Sequence, residues 1–94
     1  MAKSTRKSII QREKVCYICG TPVNLQLHHV WHGTANRKKA DEDGLVVWLC
    51  VTDHVLLHDR GEHDKELMAV AQEAWEREYG SREEFRQRYG KSIL

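Results

Sequence analysis

The chain has 94 residues, enough for one small domain. Its 15 Lys and Arg against 14 Asp and Glu leave a formal net charge of +1, so no overall field marks a polyanionic partner. No apolar run approaches the ~20 residues that span a bilayer. The 3 cysteines cannot all pair within one chain, which points to metal ligation in a reducing compartment as the staple of a small core.

Residues 1–14 read as a basic tail, with Lys3, Arg6, Lys7, Arg12 and Lys14 against the single acid Glu13. The segment has no apolar core of the kind a secretory leader carries, so a soluble cytoplasmic protein is expected. Ile9 and Ile10 are expected to open a short strand or turn. Cys16-Tyr17-Ile18-Cys19-Gly20 has the spacing of a zinc knuckle, with Gly20 relaxing the backbone after the second sulfur. Thr21-Pro22 turns the chain.

Residues 25–30 alternate apolar and polar and read as a strand. On a strand His28 and His29 point to opposite faces, unless a bulge or the strand end re-aims one of them. Residues 32–36 are expected as loop, with His32 exposed to solvent. A short helical turn over 37–42 should stop at Gly44. It carries a second basic cluster, Arg37, Lys38 and Lys39, followed by acids at 41–43.

Residues 45–49 form a continuous run of strand-forming apolar residues that ends at Cys50. Antiparallel pairing with 25–30 is expected. Thr52 is the expected N-cap of a helix over 53–59, with Val55 and Leu56 facing inward. His54 and His58 are four apart, so they stack on one helical face. Asp64 is the expected cap of a helix over 65–79, whose stripe of Leu67, Met68, Ala71, Ala74, Trp75 and Tyr79 predicts a covering face for the strands. Gly80 ends it. Ser81 and Glu84 spell a capping box for a last helix, with Phe85 and Tyr89 on one face and Gly90 at its end.

Three stretches carry the chemistry: C-x2-C at Cys16 and Cys19, the pair His28-His29, and C-x2-D-H-x3-H from Cys50 to His58. Cys16, Cys19 and Cys50 are expected to meet around a structural zinc. His54, His58 and one histidine of the pair would hold a second ion with an open coordination position. Basic residues beside such a site suit a phosphate backbone.

This ordered set resembles the HNH nucleases, the zinc-containing branch of the ββα-metal (His-Me finger) fold. The resemblance covers roughly residues 15–60 and rests on Cys16-x2-Cys19, His28-His29 and Cys50-x2-Asp53-His54-x3-His58. The Gly44-Leu45-Val46-Val47 and Tyr89-Gly-Lys-Ser-Ile-Leu94 stretches are also similar to small phage-type members. It implies an α+β domain: a zinc knuckle and ββα-metal core over 15–60, then C-terminal helices over 61–94. It implies DNA phosphodiester hydrolysis, by nicking or double-strand cleavage, with His28, His54 and His58 on a catalytic divalent ion (Mg2+, Mn2+, Ni2+ or Zn2+). His29 is implied as general base, and Arg37, Lys38, Lys39 and Arg60 as phosphate contacts.

Where the family usually places Cys or His, this chain has Asp53. Asp53 is taken as the fourth ligand of the structural zinc, with His63 as the alternative. The family's middle Asn is absent, and Asp43 or Asn36 is expected in its place. Partners implied are DNA, then a second copy or a recombination or replication protein, with no membrane. The competing readings are a catalytically weak or inactive zinc-binding module that binds nucleic acid, and a zinc-stapled protein that binds a protein partner.

Overall fold

In the computed structural model, which describes residues 8–94, the elements run β1 (Leu25–His29), α1 (Thr34–Asp43), β2 (Val46–Cys50), α2 (Val51–Arg60), α3 (Asp64–Glu78) and α4 (Arg82–Tyr89). The result is a small α+β fold with one two-stranded sheet and four helices among the described residues. Lys3, Arg6 and Lys7 of the expected basic tail lie outside the described residues.

β1 and β2 pair antiparallel, with Leu25 opposite Cys50 and His29 opposite Val46. Val46 and Val47 are adjacent on β2, hence on opposite faces, yet both are buried. The apolar run of β2 is therefore covered on both sides, as a continuous hydrophobic strand requires. The outer edge of β2 is covered as well. Ile9 N–H donates to the Gly44 carbonyl and Tyr17 N–H to that of Trp48. The Gln11 side-chain oxygen accepts from Trp48 N–H at 2.8 Å, and the Ser8 hydroxyl donates to the Val46 carbonyl. An edge strand left bare would present unpaired backbone groups. Ile9 and Ile10 form a bend rather than a strand and pack partly buried against the core.

The helical turn expected over 37–42 is a ten-residue helix, α1, which starts three residues earlier. Its N-cap, Gly33 at φ 102°, has no side chain to signal a start. The two faces of α1 differ in their work. Asn36, Lys39, Ala40 and Asp43, spaced three or four apart, face the C-terminal helices: Ala40 is buried, Asn36 Nδ2 donates to the Tyr89 carbonyl, and Lys39 Nζ donates to that of Arg88 at 2.6 Å. Arg37, Lys38 and Asp41 lie on the other face, beside His29.

α2 follows β2 with no loop between them, and this corrects the expected cap. Cys50 is the N-cap, its sulfur accepting from Asp53 N–H at 3.4 Å, while Thr52 already lies inside the helix. The inward residue is Leu57, 3% exposed; Val55, expected inside, is 49% exposed. A helix begun at Val51 that turns His54 and His58 toward β1 leaves Leu57 to enter the core.

α3 buries Leu67, Met68, Ala71, Ala74 and Trp75 as the stripe predicts, but Tyr79 is 52% exposed and reaches the Asp43 carbonyl through its hydroxyl. Asp64 is the first helical residue rather than the cap; His63, at φ 64°, holds the cap position. The Ser81–Glu84 capping box and the left-handed Gly90 terminus form as expected. Trp31, Trp75, Phe85 and Tyr89 make one aromatic cluster, with ring centroids 5.0 Å apart for Trp31–Phe85 and 4.6 Å for Phe85–Tyr89. No helix among the described residues is long and apolar enough to cross a membrane.

Candidate metal centres

The knuckle turns between Cys16 and Gly20, whose N–H donates to the Cys16 carbonyl at 2.8 Å, and Gly20 adopts φ 84°. This turn brings Cys16 and Cys19 to the junction of β2 and α2, where Cys50 and Asp53 sit. The donor atoms of Cys16, Cys19, Cys50 and Asp53 all lie within 4.8 Å of one another. The Cys16 and Cys50 thiols stand 3.1 and 3.3 Å from Asp53 Oδ2, and the Cys19 and Cys50 sulfurs are 3.9 Å apart.

The surroundings select a cation. Burial resists ionisation of Cys16, but N–H donors from the backbone, led by Cys19, outweigh it and hold its thiol below the ordinary value. Cys19 gains a backbone hydrogen bond at Thr21 that favours its thiolate. The crowd of Cys16, Cys50 and Asp53 overrides it and pushes that thiol up to about 11. Hydrogen bonding to Cys16 holds the Asp53 carboxyl down. Four groups that become anionic in one small volume repel one another until a cation joins them, and three sulfurs with one oxygen suit zinc. The cluster can therefore hold a metal such as zinc. His63, the alternative fourth ligand, is not among the converging donors; its Nδ1 meets Glu66 Oε1 at 2.7 Å.

The second cluster is carried by β1 and α2. His28, His54 and His58 also bring one donor atom each within 4.8 Å of the rest. The Nε2 atoms of His54 and His58 face each other at 3.0 Å, and the His28 ring stands 5.2 and 5.5 Å from theirs. Gln26 fixes the outer nitrogen of His54: its Oε1 lies 2.6 Å from Nδ1. A carbonyl oxygen can only accept, so Nδ1 carries the proton and Nε2 presents a lone pair inward. Burial, with the neighbouring His54 and His58, pulls His28 down to about 4, so it is a neutral donor at neutral pH. Burial and His58 lower His54 as well.

His28 gives the sharpest fit test. It is 2% exposed, yet its Nε2 has no hydrogen-bond partner. Leaving such an atom unsatisfied costs about 1–3 kcal/mol, and an ion held between three imidazoles removes that cost. The only other buried side-chain atom in this state among the described residues is Trp31 Nε1, inside the aromatic cluster.

The histidines line a cavity of about 390 Å³ bounded by Leu27, His28, His29, His32, Gly33, Arg37, His54 and His58. Five of the chain's 6 histidines thus border one space. His29 closes β1 and meets Asp41 through Nε2 at 3.2 Å. His32 is exposed as expected, but its ring borders the cavity and is tied to Asp64 at 3.1 Å. Neither residue expected to replace the missing Asn hydrogen-bonds His29, which pairs with Asp41. Asp43 holds Trp75 Nε1, Arg88 and the Tyr89 hydroxyl, and Asn36 holds the end of α4.

Of the four expected phosphate contacts, Arg37 borders the cavity, and Lys38 joins it beside His29 and Asp41. Lys39 is engaged with the Arg88 carbonyl instead, and Arg60 is exposed at the end of α2. Gln26, Asp41 and Asp64 are the partners that sequence reasoning missed. None of the three is signalled by spacing within its own segment, because each partner is distant in sequence. No known family model, curated protein or solved structure matches this chain.

Proposed function

We propose that the chain is a metal-dependent endonuclease of the HNH type that hydrolyses DNA phosphodiester bonds, built on a ββα-metal finger of β1, β2 and α2 with a structural zinc at its base. The observation that carries this reading is the convergence of His28, His54 and His58 donor atoms within 4.8 Å, beside a fourth imidazole, His29, that stays outside the cluster. A purely structural metal has no use for the open cavity or for that extra base.

His28, His54 and His58 would hold one divalent ion, leaving positions for water and substrate; when bound, the ion neutralises charge growing on the phosphate. Three imidazoles suit divalent zinc, nickel, cobalt or manganese on ligand softness. His29 takes a proton from a water whose oxygen bonds to phosphorus as the bond to the 3′ oxygen breaks. The products are a 5′-phosphate and a 3′-hydroxyl, the latter receiving its proton from solvent. Arg37 and Lys38, on the α1 face beside His29, hold neighbouring phosphates.

Supercoiled plasmid tests the proposal, with magnesium, manganese, nickel or zinc and the His29→Ala protein beside the parent. The parent should yield nicked or linear plasmid, and His29→Ala should lose about 10²–10⁴ of the rate. Equal cutting by both proteins would remove His29 from the mechanism. A second reading, a zinc-stapled binding module without cleavage, draws support from the engagement of Asp43 and Asn36 away from His29. It predicts plasmid binding with no conversion under any of the four ions.

A further inference from the structure

We infer that Asp41 is the positioning residue of the base, fixing which nitrogen of His29 is free to accept the proton. The inference rests on the nuclease reading of the site, and it assigns a role that neither the composition nor the motif spacing shows. Asp41 lies on the face of α1 that also carries Arg37 and Lys38, and its Oδ1 is 3.2 Å from His29 Nε2. The His29 side chain is 15% exposed and that of Asp41 39%. The imidazole is thus largely enclosed while its partner remains in reach of solvent, and an ionised carboxylate there can only accept.

Accepting from Nε2 forces the proton onto that nitrogen and leaves the lone pair on Nδ1. His29 then enters the reaction as a single tautomer with one basic nitrogen. In the proposed step the water proton passes to Nδ1 while Asp41 stays ionised and steadies the imidazolium that forms, as carboxylates do in hydrolase triads. Helical spacing explains why Asp41 serves and Asp43 does not. Two residues further on, the side chain has rotated by about 200° around the helix and points into the aromatic cluster.

The test separates orientation from mere packing. Asparagine preserves the size of Asp41, but its amide can turn an N–H toward Nε2 and so select the opposite tautomer. Asp41→Asn and Asp41→Ala should therefore both lower kcat by at least about a hundredfold with KM within about threefold, whereas Asp41→Glu should recover most of the rate. Nitrogen NMR of the zinc-loaded proteins, with His29 identified from His29→Ala, should show the Nε2–H form in the parent and a mixture in Asp41→Ala. Two results would overturn the inference: the same tautomer in parent and Asp41→Ala, or an Asp41→Asn protein with unchanged kcat. A parent that cuts no plasmid sinks the nuclease reading instead, and the NMR comparison still decides the role of Asp41.

Discussion

Replacing Cys50 by serine separates two roles that this residue plays at once. Its sulfur is one of four donors converging within 4.8 Å, and the same sulfur accepts the Asp53 N–H as the N-cap of α2. Serine is among the best N-caps, so Cys50→Ser keeps the cap and removes the thiolate. Structural zinc stabilises small zinc-finger peptides by about 10–16 kcal/mol, which shared over four ligands is roughly 3 kcal/mol for each. In a domain of this size each kcal/mol shifts Tm by about 4–8 °C, so the variant should melt roughly 12–24 °C below the parent. The assay is thermal unfolding with metal analysis, repeated with excess chelator. The variant should bind its zinc about a hundredfold more weakly, and chelator should bring the two melting temperatures together, because the cap is intact in both. A Cys50→Ser protein that retains both its Tm and its zinc affinity would refute the reasoning.

For metal-free protein, stability should fall as pH drops from 6.5 toward 4. His28 takes up its proton near 6.5 when unfolded but near 4 when folded, so the unfolded chain binds more protons across that window and acid favours it. The contribution is about 3 kcal/mol, present above pH 6.5 and lost through the lower value; denaturant titrations should show the slope in the parent and its reduction in His28→Leu. Asp43→Ala should cost about 3–5 kcal/mol, because it strips partners from Arg88, Trp75 and the buried Tyr89, while leaving metal content unchanged. A stable variant, or one that loses metal, would show that Asp43 does something else. Arg37→Ala and Lys38→Ala should each lower the slope of log affinity for DNA against log salt by about 0.9 and leave Tm within about 2 °C. In the same titration Lys39→Ala should change stability more than DNA affinity, since its ammonium closes the end of α4.

Features that depend on near neighbours in sequence were legible. The two strands, the knuckle turn, the capping box of α4 and the apolar stripe of α3 each arise from residues a few positions apart. The strand register was half legible: the pairing partners followed from two apolar runs, but the antiparallel sense came only with the family resemblance, since a helical connection such as α1 also joins parallel strands. What depended on distant contacts was not. Cys50 as a cap needs β2 to run straight into α2, which moves the helix start ahead of Thr52 and carries Leu57 rather than Val55 inward. Tyr79 continues the stripe in sequence, but the last turn of α3 passes the edge of the core and leaves it exposed. Asp41 and Asp43 look equivalent as letters in an acidic run. Only the phase of α1, set by its uncapped start after Gly33, puts one beside His29 and the other under the aromatic cluster. The grouping of His28 with His54 and His58 needed β1 to pack against α2, which spacing alone could propose but not build.

The central proposal is that α2 contributes to two distinct metal sites, one rich in sulfur and one made of nitrogen. X-ray absorption spectroscopy of the zinc-loaded parent, of Cys50→Ser and of the His54→Ala/His58→Ala double variant reads that claim directly. Two sites predict mixed sulfur and nitrogen shells in the parent, loss of the nitrogen shell with about one metal equivalent in the double variant, and weaker sulfur scattering in Cys50→Ser. A parent that binds a single ion in a sulfur-only shell, unchanged by the double variant, would contradict the proposal.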